Sequence, residues 1–144
     1  MKTLSIVVPV YYNEASLRPL YDALTQVETE LRQRDLRMQL IFVDDGSGDE
    51  SLRELLAIAA GNDNIKVVKH SRNFGSMMAL KTGFQFVEGD CFTILTADLQ
   101  DPPNLVVEMA DKWLAGAKFV IGTRSRSGER RGRRGGGLRE GACR

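Results

Sequence analysis

Short apolar runs alternate along this chain with segments in which apolar residues recur every three to four positions. The apolar runs are short, and Leu4–Val8 is continuous rather than alternating with polar residues, which is typical of a strand buried on both faces. They predict five strands, at Leu4–Val8, Leu40–Val43, Ile65–Lys69, Cys91–Leu95 and Lys118–Ile121. Strands that alternate with helices indicate an α/β fold, with a mostly parallel sheet and helices on both of its faces.

The helical segments have one apolar face each, and this face predicts which side chains are buried. In the first helix, with Ser16 as its cap, the face comprises Leu17, Leu20, Tyr21, Leu24, Val27 and Leu31. In the second, capped by Asp49, it comprises Leu52, Leu55, Leu56 and Ala59. A third helix is predicted at Ser76–Val87, with Met77, Leu80, Phe84 and Val87 inward, and a fourth at Asn104–Leu114.

Composition places the chain among ordinary globular proteins. It has 144 residues, of which 42% are hydrophobic and 27% charged, enough for one compact domain with a core. Two cysteines are too few for a disulfide framework or a metal knuckle, so a reducing compartment is expected. No run reaches the roughly 18–20 apolar residues of a membrane helix, and the first residues lack a signal-peptide pattern. A soluble, cytoplasmic chain is therefore predicted.

The character of the sequence changes near its end. Residues 124–144 carry eight arginines against two acids, so the segment is strongly basic while the rest is mildly acidic. The sequence predicts a folded domain over residues 1–124 and a disordered Arg/Gly-rich tail over 125–144. Such a tail could instead contact RNA or anionic lipid, or follow from a reading frame lost near Ser125; no nucleic-acid partner is expected.

Oxygen-bearing side chains are concentrated just after the fourth predicted strand. The segment Thr96-Ala97-Asp98-Leu99-Gln100-Asp101 is followed by two prolines that prepare the next helix. In open α/β sheets, ligands bind outside the carboxyl ends of strands. Carboxylate and amide oxygens are suitable ligands for a hard cation. Asp98, Gln100 and Asp101 are therefore candidates to hold a cation and a diphosphate.

Acidic residues also follow the first two strands. Pro9 ends the first strand, and Glu14 precedes the next helix. At that position Glu14 either stabilises the helix through its dipole or contacts a ligand. Asp44 and Asp45 follow the second strand. An Asx turn with a helix cap explains one of them. A carboxylate there can also accept a hydrogen bond from a nucleobase imide or a ribose hydroxyl.

The third strand is followed by His70-Ser71-Arg72-Asn73-Phe74-Gly75. Arg72 can contact a phosphate through two hydrogen bonds. His70 is the only histidine, so no histidine cluster or histidine-paired nucleophile is available. It is predicted to be a strand-end residue without a chemical role.

These four strand-end motifs, taken in order, resemble family 2 glycosyltransferases of the GT-A fold. Within that family they are most similar to the polyprenyl-phosphate glycosyltransferases, and the resemblance covers residues 4–124. It implies a nucleotide pocket lined by Pro9, Tyr11, Glu14, Asp44 and Asp45. It also implies that Asp98 and Gln100 act in catalysis and bind the metal with the diphosphate. Arg72 would contact phosphate, and Arg124 would begin the acceptor-side loop.

The activity implied by the resemblance is inverting transfer of a sugar from a UDP- or GDP-linked donor to a polyprenyl phosphate, with Mg²⁺ or Mn²⁺. The acceptor implies work at the inner face of the membrane, in synthesis of cell-envelope glycans. Similar enzymes have Asp-Ala-Asp where this chain has Thr96-Ala97-Asp98, and a threonine hydroxyl is the weaker metal ligand. The family also continues past Arg124 into membrane-associating helices. A nucleotide-sugar-binding remnant without activity is the alternative.

Other α/β classes predict different positions for the same chemistry. A phospho-receiver domain has its paired acids after the first strand and a lysine after the last, whereas here Asp44 and Asp45 follow the second strand. A dinucleotide-binding domain has Gly-x-Gly-x-x-Gly after the first strand, and that pattern is absent. A nucleotidyltransferase also has a glycine-rich loop at that place.

Overall fold

The computed structural model describes residues 1–123 and 139–140. Its contacts divide the chain into two units, Met1–Asn104 and Leu105–Arg144. The first unit contains four strands: β1 (Lys2–Val10), β2 (Leu36–Asp44), β3 (Ile65–Lys69) and β4 (Cys91–Ile94). Its three helices are α1 (Glu14–Arg32), α2 (Ser51–Ala59) and α3 (Ser76–Phe84).

The four strands form one parallel sheet in the order β3-β2-β1-β4. The chain runs outward from β1 through β2 to β3 and then returns to the other side of β1. Because such crossovers are right-handed, α1 and α2 cover one face of the sheet and α3 covers the other. The α/β prediction is confirmed, and the strand order reverses between β1 and β4.

Helix α1 begins two residues before its predicted cap. Asn13 is the residue at its N-cap, and Ser16 lies in the first turn, where its hydroxyl donates to the backbone oxygen of Ala97 at 2.6 Å. The predicted apolar stripe is confirmed for Leu17, Leu20, Leu24, Val27 and Leu31, which are all buried. The Ser16–Ala97 hydrogen bond connects the start of α1 to the loop after β4.

Helix α3 packs very close to the sheet. A Cβ atom added to Gly83 would lie 2.5 Å from Cγ1 of Val7, so only a residue without a side chain fits there. Ala79 is the other buried residue of this helix, and it packs with Val7, Ile41 and Val43. The residues of α3 that are fully buried are therefore small, while Leu80 is partly buried against the same cluster.

The prediction that large apolar residues of α2 and α3 face inward is wrong in three places. Met77 is 76% exposed and Phe84 40% exposed, because Ala79 and Gly83 occupy the contact with the sheet. In α2, Leu56 is 56% exposed, whereas Leu55 and Ile58 are buried. Helix α3 also ends at Phe84, so Val87 lies beyond the helix, although its side chain is partly buried against the core as predicted.

The second unit contains α4 (Leu105–Leu114), β5 (Val120–Ile121) and β6 (Arg139–Glu140). Strands β5 and β6 pair in antiparallel orientation, and β5 has two of the four residues predicted for it. The remainder of the predicted tail lies outside the described residues. Within the described part of the chain, no helix combines the length and apolar composition needed to cross a membrane.

Candidate functional site

A cleft of about 230 Å³ lies at the carboxyl end of the sheet in the first unit. It is situated at the reversal of strand order between β1 and β4, which is where open α/β sheets bind ligands. Its wall is formed by Pro9, Val10, Tyr11, Asn13, Asp45, Asn73, Gly75, Ser76, Thr96, Ala97 and Asp98. Four residues predicted from the sequence therefore meet here: Pro9, Tyr11, Asp45 and Asp98.

Pro9 lies at a position of β1 where the sheet needs no backbone N–H donor. The backbone oxygen of Val7 accepts from the amide of Leu95 at 3.0 Å, so the backbone hydrogen-bonding groups of Val7 point toward β4. The backbone nitrogen of Pro9, two residues further on, points toward the same side. The pairing with β4, however, ends at Ile94 opposite Val7. No hydrogen bond of the sheet is lost, and the proline ring is left at the edge of the cleft.

The loop after Pro9 is held by three consecutive backbone amides. The amide of Tyr11 donates to Oδ1 of Asn13 at 2.8 Å, and that of Tyr12 to Oγ of Ser47 at 3.0 Å. The amide of Asn13 donates to Oγ of Ser51 at 2.9 Å. Tyr12 has a left-handed backbone with φ +54°, which turns the chain here. These contacts fix the half-exposed Tyr11 ring at the cleft.

Asp45 is buried and organises the loop between β3 and α3. Its Oδ1 accepts from Nδ1 of His70 at 2.8 Å and from the amide of Phe74 at 2.9 Å. Its Oδ2 accepts from the amide of Gly75 at 2.9 Å and from Nδ2 of Asn73 at 3.3 Å. Burial by itself raises the pKa of this carboxyl, but these donors outweigh burial and hold the pKa below its ordinary value of 3.8.

Acid is therefore expected to remove the stability that Asp45 contributes. Above pH 3.8 the carboxyl is ionised in the folded and the unfolded chain, so its contribution is complete. As the pH falls through the lower pKa of the folded chain, protonation weakens the four hydrogen bonds. At about pH 5, Asp45→Asn should lower the free energy of unfolding by about 1.5–3 kcal/mol.

Urea unfolding of both proteins between about pH 5 and pH 2.5 checks this expectation. The difference between wild type and Asp45→Asn should shrink below pH 3.8. A difference that stays constant over this range would contradict it.

Asp44, the other member of the predicted pair, does not border the cleft. It is 1% exposed, and neither of its oxygens accepts a hydrogen bond from a residue that the structure describes. Val43 packs against α3, so Asp44, the next residue in β2, faces the other side of the sheet. The paired acids are thus separated, and only Asp45 reaches the cleft.

Glu14 also lies outside the cleft wall and joins two helix starts. Its Oε2 accepts from the amide of Glu50 at 2.9 Å, and Oδ2 of Asp49 accepts from the amide of Glu14 at 3.4 Å. Oδ1 of Asp49 accepts from the amide of Ser51 at 3.0 Å. Glu14 therefore accepts from a backbone amide at the start of α2, and Asp49 accepts from one at the start of α1. Both residues border a second hollow beside α1.

The loop after β4 presents Asp98 to solvent. Its Oδ1 accepts from the amide of Gln100 at 3.2 Å, and between them Leu99 has a left-handed backbone with φ +62°. This conformation costs a residue with a side chain about 1–2 kcal/mol, a strain that clusters at functional sites. Thr96 donates to Oδ2 of Asp101 at 3.5 Å. The exposed side chain of Gln100 is not part of the cleft wall.

The oxygen donors of this loop fit a hard cation in kind, although they are few. Asp98 supplies a carboxylate and Thr96 a hydroxyl at the cleft, and Asp101 lies beside Thr96. Among the described residues, no group of three or more His, Cys, Asp or Glu side chains could hold a metal ion. Oxygens from a bound ligand could complete the coordination of a cation at Asp98.

The two predicted arginines differ in how far the structure describes them. The guanidinium carbon of Arg72 lies 4.1 Å from the centre of the Phe74 ring, and Nη1 donates to the backbone oxygen of Asn73 at 3.4 Å. Arg72 is exposed next to Asn73, a residue of the cleft wall. Arg124 lies outside the described residues.

Two residues that form or support the cleft wall, Asn73 and His70, are hard to identify as such from the sequence. Asn73 is part of the strand-end motif that contains Arg72, and its position in that motif is the available signal. His70 contacts Asp45 across 25 positions of the chain. Neither periodicity nor spacing predicts such a side-chain contact.

A family model described as Glycosyl transferase family 2 matches residues 5–141. An uncharacterized glycosyltransferase of Synechocystis is 42% identical over 127 residues, which cover 88% of this chain and 39% of the relative. The bactoprenol glucosyl transferase of Shigella phage SfX is 33% identical over 122 residues, covering 85% of this chain and 39% of the relative. This chain thus spans about two fifths of their length.

Solved structures show the same fold. The mannosyltransferase PcManGT of Pyrobaculum calidifontis, in complex with GDP-Man and Mn²⁺, has a TM-score of 0.69 at 20% identity, covering 85% of this chain and 35% of that one. Glucosyl-3-phosphoglycerate synthase of Mycobacterium tuberculosis, with Mn²⁺, UDP and phosphoglyceric acid, has a TM-score of 0.68 at 20% identity, covering 88% and 44%. At this identity, the likeness concerns the fold alone.

Proposed function

The chain belongs to glycosyl transferase family 2 and has the GT-A fold, and from this premise we propose that its cleft binds a nucleotide-sugar donor. One observation carries the proposal: Pro9, Tyr11, Asp45 and Asp98 border a single cleft at the reversal of strand order. The loops after β1 and β4 give this cleft an aromatic ring on one side and a carboxylate on the other. An aromatic ring can pack against a nucleobase, and a carboxylate can hold a cation that also binds the diphosphate.

We propose that the base and ribose lie against Pro9 and Tyr11. Asp45 has each of its oxygens engaged by two donors, so its contribution to this part of the cleft is to hold Asn73 and Gly75 in the wall. Asp44 and Glu14 are proposed to support the cleft from outside its wall, since Asp44 is buried and Glu14 joins the starts of α1 and α2. Ligand contact at these two positions stays a prediction.

The diphosphate is placed near Asp98 because its exposed carboxylate can hold Mg²⁺ or Mn²⁺ together with phosphate oxygens. Such cations are commonly bound through one or two carboxylates plus substrate phosphates, which fits the small number of protein donors here. Gln100 and Thr96 would support the cation. Two structures of similar fold contain Mn²⁺, one with GDP-Man and one with UDP. When bound, the cation stabilises the negative charge that develops on the departing diphosphate.

The reaction proposed is inverting transfer of the sugar to a polyprenyl phosphate. An oxygen of the acceptor phosphate forms a bond to the anomeric carbon, and the bond from that carbon to the donor diphosphate breaks. The nucleoside diphosphate leaves with the electron pair. The acceptor phosphate is anionic near neutral pH, so no proton has to be removed from it. Arg72, beside the cleft, and Arg124 are proposed to pair with phosphate groups.

The acceptor is proposed from relatives rather than from the cleft. Several relatives are bactoprenol glucosyl transferases, and this chain matches 38–39% of their length. A polyprenyl phosphate is embedded in a membrane, so the full protein is proposed to work at the inner membrane face. Sugar-nucleotide binding without transfer is the second candidate. Thr96 favours it, because this neutral residue stands where similar enzymes have a carboxylate.

Thr96→Asp is expected to tighten Mn²⁺ binding by about tenfold or more, because the charge of the ligands sets cation affinity in such sites. The new carboxylate would stand close to Asp101, whose Oδ2 is 3.5 Å from the Thr96 hydroxyl. Without a cation the two like charges repel, so the melting temperature should fall, and Mn²⁺ should restore it. Calorimetric titration and thermal unfolding measure both effects.

Thr96→Asn is the matched control, because it changes the side chain to a similar size and shape without the charge. If Thr96→Asp binds Mn²⁺ no more tightly than Thr96→Asn, the proposed cation position is wrong.

A transfer assay tests the proposed activity. The chain is incubated with Mn²⁺, polyprenyl phosphate in detergent micelles, and labelled UDP-glucose or GDP-mannose, and label in the lipid phase is measured. A Mn²⁺-dependent lipid-linked sugar supports transfer. Nucleotide-sugar binding without a lipid product supports the second candidate. If neither binding nor product is found with either donor, both are wrong.

A further inference from the structure

The single histidine of the chain bridges the cleft wall and α3. His70 follows β3, and its side chain is 12% exposed. Its Nδ1 lies 2.8 Å from Oδ1 of Asp45, and its Nε2 lies 2.8 Å from Oγ1 of Thr82. Thr82 belongs to α3, and Asp45 borders the cleft. The imidazole therefore has a defined partner on each of its two nitrogens.

The chemistry of the carboxylate fixes the direction of the hydrogen bond between His70 and Asp45. An ionised carboxylate only accepts, so Nδ1 of His70 carries the hydrogen that Asp45 receives. In the neutral ring, Nε2 is then the acceptor and the hydroxyl of Thr82 donates to it. The imidazole thus connects Thr82 of α3 to Asp45 of the cleft wall through two hydrogen bonds.

The same imidazole also supports the loop that Asp45 organises. Its ring meets the Phe74 ring edge to face, with centroids 5.4 Å apart and planes at 87°. Phe74 in turn lies under the guanidinium of Arg72, at 4.1 Å. His70 is thus connected to Asp45 by a hydrogen bond and to Arg72 through an aromatic ring.

We propose that His70 is a positioning residue, which orients the Asp45 carboxylate so that Asn73 and Gly75 are held in the wall of the nucleotide cleft. The proposal rests on the proposed function, because its consequence for affinity requires a nucleotide in this cleft. Its structural part is independent of any ligand. Without the donor at Nδ1, Oδ1 of Asp45 keeps only the amide of Phe74, and the carboxylate can rotate away from Gly75.

Two substitutions separate positioning from packing. Asn has its amide nitrogen as many bonds from the main chain as Nδ1 of histidine, so His70→Asn retains a donor for Asp45. Gln has its amide nitrogen at the distance of Nε2, so His70→Gln retains the contact with Thr82 and loses the donor to Asp45. Both variants remove the ring. A packing role for the imidazole therefore predicts similar effects, and a positioning role predicts different ones.

The first measurement needs no nucleotide: hydrogen exchange of the Phe74 and Gly75 amides in the full chain, followed by NMR. These amides donate to Asp45 at 2.9 Å in each case. His70→Gln should accelerate their exchange about tenfold or more, as loss of a hydrogen bond to a charged group implies. His70→Asn should stay within about threefold of wild type. Similar acceleration in both variants, or in neither, would overturn the proposal.

The second measurement is the affinity for UDP and GDP with Mn²⁺, which should fall about tenfold in His70→Gln and remain near wild type in His70→Asn. If wild type binds neither nucleotide, the proposed function fails, while the exchange rates still decide the role of His70. Thr82→Val covers the case in which the His70 variants do not fold. It removes the hydroxyl with little change of shape and should accelerate exchange of the same two amides. Unchanged exchange in Thr82→Val would overturn the proposal.

Discussion

Replacing Asp98 with Asn is expected to weaken Mn²⁺-dependent binding of a nucleotide sugar by about 100-fold. The amide keeps the size of the side chain and an oxygen for the amide of Gln100, now at 3.2 Å, so the loop should keep its shape. What is lost is the negative charge that pairs with the cation. Mutation of residues that only support metal ligands lowers metal affinity by about 10–100-fold. Loss of a direct ligand should therefore lower it at least as much.

Asp63→Asn is the matched control for this substitution. Asp63 is exposed and precedes β3, so it lies at the edge of the sheet opposite to the cleft. Calorimetric titration with Mn²⁺ and either UDP- or GDP-sugar should give near-wild-type affinity for this variant. Equal losses in the two variants would show a general effect of charge, and no loss in Asp98→Asn would remove Asp98 from the site.

Replacing Gly46 with Ala is expected to abolish nucleotide binding and to lower the free energy of unfolding by about 2–4 kcal/mol. Gly46 has φ +76°, and an added Cβ would lie 2.5 Å from the carbonyl carbon of Arg72 and 2.6 Å from the nitrogen of Asn73. Both are backbone atoms, so the loop itself must move. Because Asn73 and Gly75 form part of the cleft wall, its displacement should distort the cleft.

Gly61→Ala isolates the backbone strain from the collision. Gly61 has nearly the same backbone angle, φ +73°, but no atom beyond its two chain neighbours lies within 4 Å of an added Cβ. It should cost only the left-handed strain of about 1–2 kcal/mol and leave nucleotide affinity unchanged. Chemical unfolding and nucleotide titration of both variants make the comparison. Wild-type affinity in Gly46→Ala would contradict the role of this close approach.

The strand-end chemistry of this fold is predictable from sequence because it follows from parallel strands alone. Short apolar runs indicated β1 to β4, and β3 has the predicted bounds, Ile65–Lys69. Since the carboxyl ends of parallel strands lie at one edge, residues as distant as Pro9 and Asp98 could be expected in one cleft. Their meeting in the cleft wall is what topology contributes to the site.

Other features depend on side-chain geometry that no periodic pattern contains. Adjacent acids suggested a common role for Asp44 and Asp45, yet neighbouring positions at a strand end point to different sides. Both acids are buried, but only Asp45 borders the cleft. Glu14 is occupied by a backbone amide 36 residues away. Met77 and Phe84 were misassigned to the inward face of α3 because hydrophobic patterning favours large residues, whereas close packing on the sheet required Ala79 and Gly83.

The most direct test of this account is a calorimetric titration of the chain with UDP- and GDP-linked sugars, with and without Mn²⁺. We expect saturable binding of one donor molecule per chain that depends on Mn²⁺ and is weakened about 100-fold in Asp98→Asn. Absence of Mn²⁺-dependent binding with both classes of donor would contradict the central claim that the cleft between the β1 and β4 loops holds a nucleotide sugar.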